Sequence, residues 1–422
     1  MVFVCLLAWL SGRERGRVRW SGVFLGLGLQ LVMGALVFLL PAGRRVLLWV
    51  NDIWVVVMDA ARVGVQFLFG PLALGPGMSG PGGSKSLGFI LAVQALPLVV
   101  FFMALAALLY QAGILQRVVK LFSRLLARTL GTSGAESLGV ASSIFVGVET
   151  AGMVRPFLAR MTRSELFCLL TACMATVSST VLATYTLILQ HQFPTIAGHL
   201  VSASIISAPA AVVVAKLMEP ETDQPVTAGQ TVDLALGRYS GYMEAVITGS
   251  TEGVRLLVGI VALLLSFLGL AALANSILGW LGGLVGLAHL KLETILGWLA
   301  YPLTLGMGVP LDDAVQLSRL LGERAIVTEF PAYLDLARLM SQGAITHARS
   351  AMIISYALCG FAHVGSVAIF VGGFGALIPQ RMGELSRLGI KALWAATLAT
   401  VMTGCVAGLF SWGGETLLGL HP

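Results

Sequence analysis

Three side chains stand where so apolar a chain has reason to avoid them. Glu149 lies in IFVGVETAGMVRP (144–156), Glu329 in AIVTEFPAYLD (325–335) and His363 in FAHVGS (361–366). Each carboxylate has apolar and small residues on both sides, and an acid at the centre of a bilayer-spanning helix costs about 2.5–3.5 kcal/mol even on the mildest scale. Groups kept at that cost can do three things. Carboxylates can accept paired hydroxyls, hold or exchange a cation or proton with a histidine nearby, or work as an acid and a base. The last would make an enzyme, and the chain has neither HExxH nor GxSxG to support one. Solvated acids at surface loops would be the bland explanation; the paired occurrence of Glu149 and Glu329 argues for a shared site.

Such groups need elements to position them, and composition says which. Of 422 residues 57% are hydrophobic and 11% charged, against about 25% charged in an ordinary soluble domain, and mean hydropathy is +0.91. Apolar stretches near the ~20 residues a membrane helix needs occur at 21–40, 88–110, 164–190, 195–215, 256–274, 350–377 and 390–412. Barrel strands alternate and are half that length. The chain therefore reads as an all-α polytopic protein of the inner membrane, with about eight transmembrane helices. MVFVCLLAWL at the start is too short to span and lacks a basic n-region and a cleavage site, so it reads as the end of a first helix and not as a signal peptide.

The net charge of +6 follows topology and does not indicate nucleic acid. Arg13, Arg15, Arg17 and Arg19, then Arg117, Lys120, Arg124 and Arg128, then Arg381, Arg387 and Lys391 flank apolar stretches and should mark the cytoplasmic side. Both termini then lie outside and the polar stretch 219–252 inside, with Arg44 and Arg45 as exceptions. The five cysteines form no CxxC pair and indicate neither disulfide framework nor zinc site.

LQRVVKLFSRLLARTLG (115–131) and PLDDAVQLSRLLG (310–322) have one apolar face each and read as helices lying on the membrane surface. Each is followed by an acid-bearing stretch, a basic segment, and a long apolar helix interrupted by polar residues, TVSST (176–180) in one case and FAHVGS in the other. That order of parts is a diverged internal repeat whose copies the topology puts on opposite sides of the membrane. Inverted repeats of this kind supply two re-entrant hairpins meeting near the midplane, beside broken helices whose freed backbone groups can hold a solute or an ion.

The residues carry a resemblance along nearly the whole chain. ESLGVASSIFVGVETAGMVRPFLARMTRSEL, SASIISAPAAVVVAKLMEPET, SILGWLGG, YPLTLGMGVPLDDAVQLSRLLGERAIVTEFPAYLDL and YALCGFAHVGSVAIFVGGFGAL look, in order, like the signature blocks of the concentrative nucleoside transporters. The resemblance implies a homotrimer that moves a nucleoside inward on a cation gradient by an elevator-like displacement. It also implies a scaffold of 1–112 and 251–288 and transport repeats at 113–218 and 289–383, joined by a cytoplasmic loop at 219–250. Hairpins are expected around 134–162 and 322–345, and 384–422 forms a last helix and tail.

Matched residue by residue, the resemblance places the substrate on Val148, Glu149, Glu329, Phe361, His363 and Ser366. The family's first tip reads GQTE, and with the Arg-Pro pair in register Val148 stands where a polar base reader is expected. Thr328 replaces an Asn, Pro331 a Val, and His363 an Asn that contacts the sugar. Ser143, Val146, Thr176 and Val177 match a sodium site in which an Asn stands where this chain has Ser143. Sodium through that site and a proton through Glu149, Glu329 or His363 are both compatible with these residues.

The sum is a cation-coupled symporter importing nucleosides, with ribose on a hairpin carboxylate, base recognition altered and no cofactor beyond the coupling ion. A same-fold transporter of another ribose-bearing or nucleobase-like metabolite is the alternative. Ser178, Ser179, Ser202, Ser204 and Ser207 read as small packing residues, His191 and His199 as solvated. Trp280, Trp298 and Trp412 read as interfacial anchors. GPLALGPGMSGPGG (70–83) reads as a loop and no phosphate cradle, since no Gly-Lys-Ser/Thr follows it.

Overall fold

The computed structural model describes residues 1–75, 85–147, 149–230, 232, 239–284, 291–411 and 418–419. Val148 and Trp412, and most of the loop at 70–83, lie outside the described residues. The chain folds as helices throughout. α1 (Val2–Leu10), α2 (Trp20–Phe38), α3 (Pro41–Phe69), α4 (Leu91–Gln94), α5 (Leu98–Gln111) and α6 (Ile114–Leu130) come first. α3 is absent from the apolar stretches above because Arg44, Arg45, Asp52, Asp59 and Arg62 dilute its hydropathy, yet it is long and apolar enough to span. Pro41 occupies its first turn, where a missing N–H costs nothing. α6 is the amphipathic helix expected at 115–131, buried at Val119 and Leu126 and started and stopped by Gly113 (φ 76°) and Gly131 (φ 64°).

The first hairpin follows as α7 (Gly134–Ser143), α8 (Thr150–Met153) and α9 (Arg155–Leu158), then α10 (Arg163–Ala175), α11 (Ser179–Leu189) and α12 (Ile196–Met218). α7 and α10 both start on capping boxes, Ser133 with Glu136 and Thr162 with Glu165, so their N-termini are fixed by sequence alone. α10 and α11 are the expected long helix broken at TVSST. α13 (Tyr242–Leu284) takes in the last part of the polar stretch 219–252, so the loop there ends at Tyr242.

The second half runs through α14 (Leu292–Gly306), α15 (Leu311–Ile326), α16 (Glu329–Ser341), α17 (Ala348–Leu358), α18 (Val364–Leu377) and α19 (Met382–Phe410). Here one expectation is corrected. The segment 310–322 is no surface helix: Ala314, Leu317, Leu320, Leu321 and Arg324 of α15 are buried, and α15 is the first arm of the hairpin that α16 completes. A one-sided apolar pattern is shared by a helix on a membrane and a helix packed against a neighbour, here α14.

Seven helices among the described residues are long and apolar enough to cross a membrane, and the broken pair α17–α18 makes an eighth unit. They differ sharply in burial: 94% of the apolar window of α10–α11 and 83% of that of α12 are inside the molecule, against 22% for α2, 17% for α3 and 11% for α13. The broken helices, α12 and α19 thus form a packed core, and α2, α3 and α13 an outer frame whose apolar side chains face outward. Trp280 of α13 and Trp298 of α14 are exposed as well.

One end of the core is tied by charge. Glu219, just past α12, takes Lys391 Nζ of α19 at 2.6 Å and Arg163 Nε of α10 at 2.8 Å. Lys216 Nζ meets Glu136 of α7 at 2.6 Å. Burial raises the Glu219 carboxyl, but the hydrogen bonds from Lys391 and Arg163 outweigh it and hold the group below its ordinary value of 4.5. A depressed folded value gives stability that is complete above the unfolded value and is lost as pH falls through the folded one. The thermal midpoint in detergent is expected to drop as pH goes below 4.5, and to drop less steeply in Glu219→Gln. Identical pH slopes for the two proteins would show that this cluster contributes nothing to acid sensitivity.

Candidate functional site

The two hairpin tips and the two helix breaks meet at one cavity. Between α15 and α16 only Val327 and Thr328 intervene, Thr328 in extended backbone, so Glu329 opens α16 and is buried at the tip. Tyr185 of α11 donates its hydroxyl to Glu329 Oε1. The Tyr185 ring stacks on Tyr333 at 4.7 Å and meets Phe330 edge-on at 5.2 Å, which fixes the donor. His363, at the break between α17 and α18, accepts the Ser366 N–H on Nδ1 at 3.2 Å. The ring proton is therefore assigned to Nε2. Nε2 lies 3.2 Å from Glu329 Oε2, yet Oε2 has no hydrogen-bond partner in the protein, and neither has the buried hydroxyl of Thr328.

Glu149 stands at the turn before α8. With Gly147 and Ser178 it lines the same cavity of about 70 Å³ as Thr328, Glu329, Phe361, His363 and Ser366. Leu256, Ile260, Leu263 and Leu264 of the frame helix α13 close it, with Phe330 and Phe370 adding to an apolar wall. The structure thus gathers every expected substrate residue that it describes.

The four candidate cation residues gather beside the same tip. Ser143 turns its hydroxyl back to Val140 O at 2.9 Å. Thr176 Oγ1 reaches Ser143 O at 2.8 Å, Ser204 Oγ lies 3.3 Å from Ile144 O and 3.2 Å from Val177 O, and Ser179 Oγ donates to Phe145 O at 2.9 Å. Val146 O is reached by Thr150 Oγ1 at 3.3 Å. All the donors are uncharged oxygens, the type a hard cation takes. Ser179 and Ser204 therefore do more than let helices approach, because their hydroxyls satisfy carbonyls that the hairpin turn leaves free.

Three family models cover most of the chain. Those described as Na+ dependent nucleoside transporter N-terminus and C-terminus match residues 1–72 and 199–408, and one described as nucleoside recognition gate matches 92–192. The nucleoside permease NupC of Helicobacter pylori is 33% identical over 97% of this chain and 96% of its own length. This chain belongs to the concentrative nucleoside transporter family. An uncharacterized transporter of Haemophilus influenzae is 36% identical over 97% of this chain and 96% of its own. The solved structure of CNTnw in an inward-facing substrate-bound state superposes with a TM-score of 0.87 at 34% identity, covering 97% of this chain and 96% of that one. The family consists of multi-pass membrane transporters and not of enzymes.

This transporter also holds groups at the site that sequence reasoning missed. Arg324 is fully buried, donates through Nη1 to Ala357 O and to Thr400 Oγ1, and leaves Nε and Nη2 without partners. Beside Glu323 and little more than one turn past Arg319, it reads in the sequence as one more charge of an amphipathic helix, and no local signal marks it. Tyr185 carried only its position soon after TVSST. His199 is not solvated: its Nδ1 lies 2.9 Å from the Tyr356 hydroxyl, with Phe38 stacked at 5.9 Å and Phe193 at 5.2 Å. Ser202 shares the Tyr356 hydroxyl at 2.6 Å.

Proposed function

We propose that this transporter is a cation-coupled symporter that imports nucleosides, holding ribose at Glu329 and reading the base less strictly than its relatives. The observation that carries this is the pair of buried, unpartnered oxygens, Glu329 Oε2 and Thr328 Oγ1, on residues of the cavity that Glu149 and His363 also line. Leaving such atoms unpaired is costly, and hydroxyls of an incoming sugar satisfy them. The remaining lining is largely aromatic and aliphatic, which suits the face of a base and offers its edge little to bond. Loss of a polar reader at Val148 points the same way.

The cavity's ~70 Å³ is far below the ~300–1,000 Å³ of sites that hold drug-sized ligands. The hairpin tips must part to admit a nucleoside, as alternating access requires. The contrast between buried core and exposed frame supports a mobile transport part, 113–218 with 289–383, moving elevator-like against a scaffold of 1–112 and 251–288. The exposed apolar surface of α13 suits a homotrimer interface as well as lipid.

Sodium is the coupling ion we favour, on the uncharged oxygen set of Ser143, Val146, Thr176 and Val177 and the family description. The second reading is a proton carried by Glu329 and His363, favoured by their 3.2 Å approach. Uptake of labelled uridine and adenosine into proteoliposomes under imposed sodium and proton gradients separates the two. Sodium-driven uptake is expected, with Ser143→Asn lowering the half-saturating sodium concentration about tenfold through one stronger ligand. Uptake driven by protons alone, unmoved by Ser143→Asn, would discard the sodium site. No uptake of either nucleoside by folded protein would favour the alternative cargo, another ribose-bearing or nucleobase-like metabolite.

A further inference from the structure

We infer that this transporter has a second ligand site on its outer face, a cavity between α3, α4, α11 and α16 that takes a phosphate ester carrying a hydroxyl or amine. The bound ester ties the proposed scaffold to the proposed transport part and slows transport. That effect rests on the division into two parts given above; the site itself does not.

The cavity holds about 460 Å³ and shares no described lining residue with the carboxylate site. Its volume is in the range of small-molecule sites. Arg62 and Gln66 of α3 and Gln94 of α4 come from the scaffold, and Gln190, His191 and Arg338 of α16 from the transport part. His191 lies between α11 and the start of α12, at the opposite end of α12 from Glu219. Lys391 sits at the Glu219 end, which its basic residues mark as cytoplasmic, so the cavity faces outward.

Two guanidiniums and a histidine, with no acid among the described lining residues, make a concavity that favours an anion. Asp59 pairs with Arg62 at 2.9 Å and Asp335 with Arg338 at 3.2 Å, each from the preceding turn of the same helix. Such pairs near the surface are worth little, and each leaves most of the five guanidinium donors for a phosphate. Gln94 asks for a donor in the same ligand. It is buried, and its Nε2 lies 2.8–3.0 Å from the carbonyl oxygens of Leu72, Leu74 and Gly88. Those carbonyls fix which way the amide is turned, and Oε1, on the other side, has no partner. A hydroxyl or amine satisfies it. Glycerol phosphate carries both groups, free in solution or as the headgroup of phosphatidylglycerol. Water reaches the site at the exposed Arg338, and lipid at the exposed apolar side chains Val63, Phe67 and Leu68 that follow Arg62.

Thermal unfolding in detergent reads binding, and uridine uptake into phosphatidylcholine proteoliposomes reads the tie. Glycerol 3-phosphate at about 10 mM, or phosphatidylglycerol added to the micelles, should raise the native midpoint by about 2 °C or more. The double variant of Arg62→Gln and Arg338→Gln should not respond; Arg338→Gln alone serves should the double variant not fold. The same occupant, present on both sides of the membrane or mixed into it, should lower the maximal uptake rate about threefold with KM unchanged, because it binds only the arrangement in which the two parts meet.

A response to glycerol 3-phosphate identifies a soluble ester as the occupant, and a response to phosphatidylglycerol alone identifies the lipid; either supports the site. No midpoint shift from either compound, or an equal shift in the variants, overturns it and leaves the reading of the two parts untouched. A raised KM would place the ester in the carboxylate cavity, which also overturns it. Should the midpoint rise while uptake stays the same, the two sides do not part during transport, and the division into scaffold and moving part fails together with the tie.

Discussion

Glu329→Gln is expected to cut nucleoside uptake by about a hundredfold or more while the protein stays folded and assembled. The substitution preserves shape, so the hairpin tip keeps its packing against Tyr185 and Phe330. Chemistry changes at both oxygens. The carboxylate accepts from Tyr185 on one side and faces the Nε2 proton of His363 on the other; an amide can accept on one side only and sets its own N–H₂ against a donor on the other. On the proposed ribose site the substrate would also lose a hydrogen bond to a charged acceptor, worth about 1.5–3 kcal/mol, or roughly 10- to 150-fold. Initial uptake rates in proteoliposomes, normalised to protein that elutes and melts like the native form, measure the effect. Normal transport by the variant would remove the central claim about the site.

The second large effect is on stability. Arg324→Ala is expected to destabilise the core by about 2–5 kcal/mol, the range for truncating a large buried side chain to alanine. The Arg324 guanidinium closes the last turn of α17 through Ala357 O and reaches across to Thr400 of α19. Alanine leaves that carbonyl short of a partner and a cavity the size of the lost side chain. Arg324→Met fills most of the volume and removes the unpartnered Nε and Nη2 as well, so it should melt much closer to the native protein. Thermal unfolding of the three proteins in one detergent decides the matter. If Arg324→Ala melts with the native form, the buried cation is not holding α15, α17 and α19 together.

The distance at which these residues act explains what could be read from the chain and what could not. Membrane class, the amphipathic α6 and the broken helices were legible because each is a local pattern: an apolar run, a one-sided face, a polar interruption such as TVSST. Glu149, Glu329 and His363 stood out because their surroundings in the sequence are apolar, and the fold brings them to one cavity. Tyr185 meets Glu329 across 144 positions, and no periodicity reports a pairing of that kind. Arg324 escaped for a related reason, since the amphipathic face of α15 looked like a surface helix until its packing against α14 was seen. α3 was hidden by its charges, and His199 by its closeness to a loop whose aromatic neighbours fold back over it.

The directions in which the core helices run have a consequence of their own. α11, α16 and α18 all begin at the cavity, at Ser178, Glu329 and His363, whereas α7 and α10 end beside the first tip, at Ser143 and Thr176. Aligned peptide units give each beginning about half a positive charge and each end about half a negative one. The cavity therefore has a built-in positive field that offsets its two carboxylates, and the cluster of hydroxyl-bonded carbonyls beside it a negative one. On the proposed function, a solute rich in hydroxyl oxygens would meet the beginnings of one set of helices, α11, α16 and α18, and a cation the ends of another, α7 and α10, so that the backbone itself would separate the two cargoes.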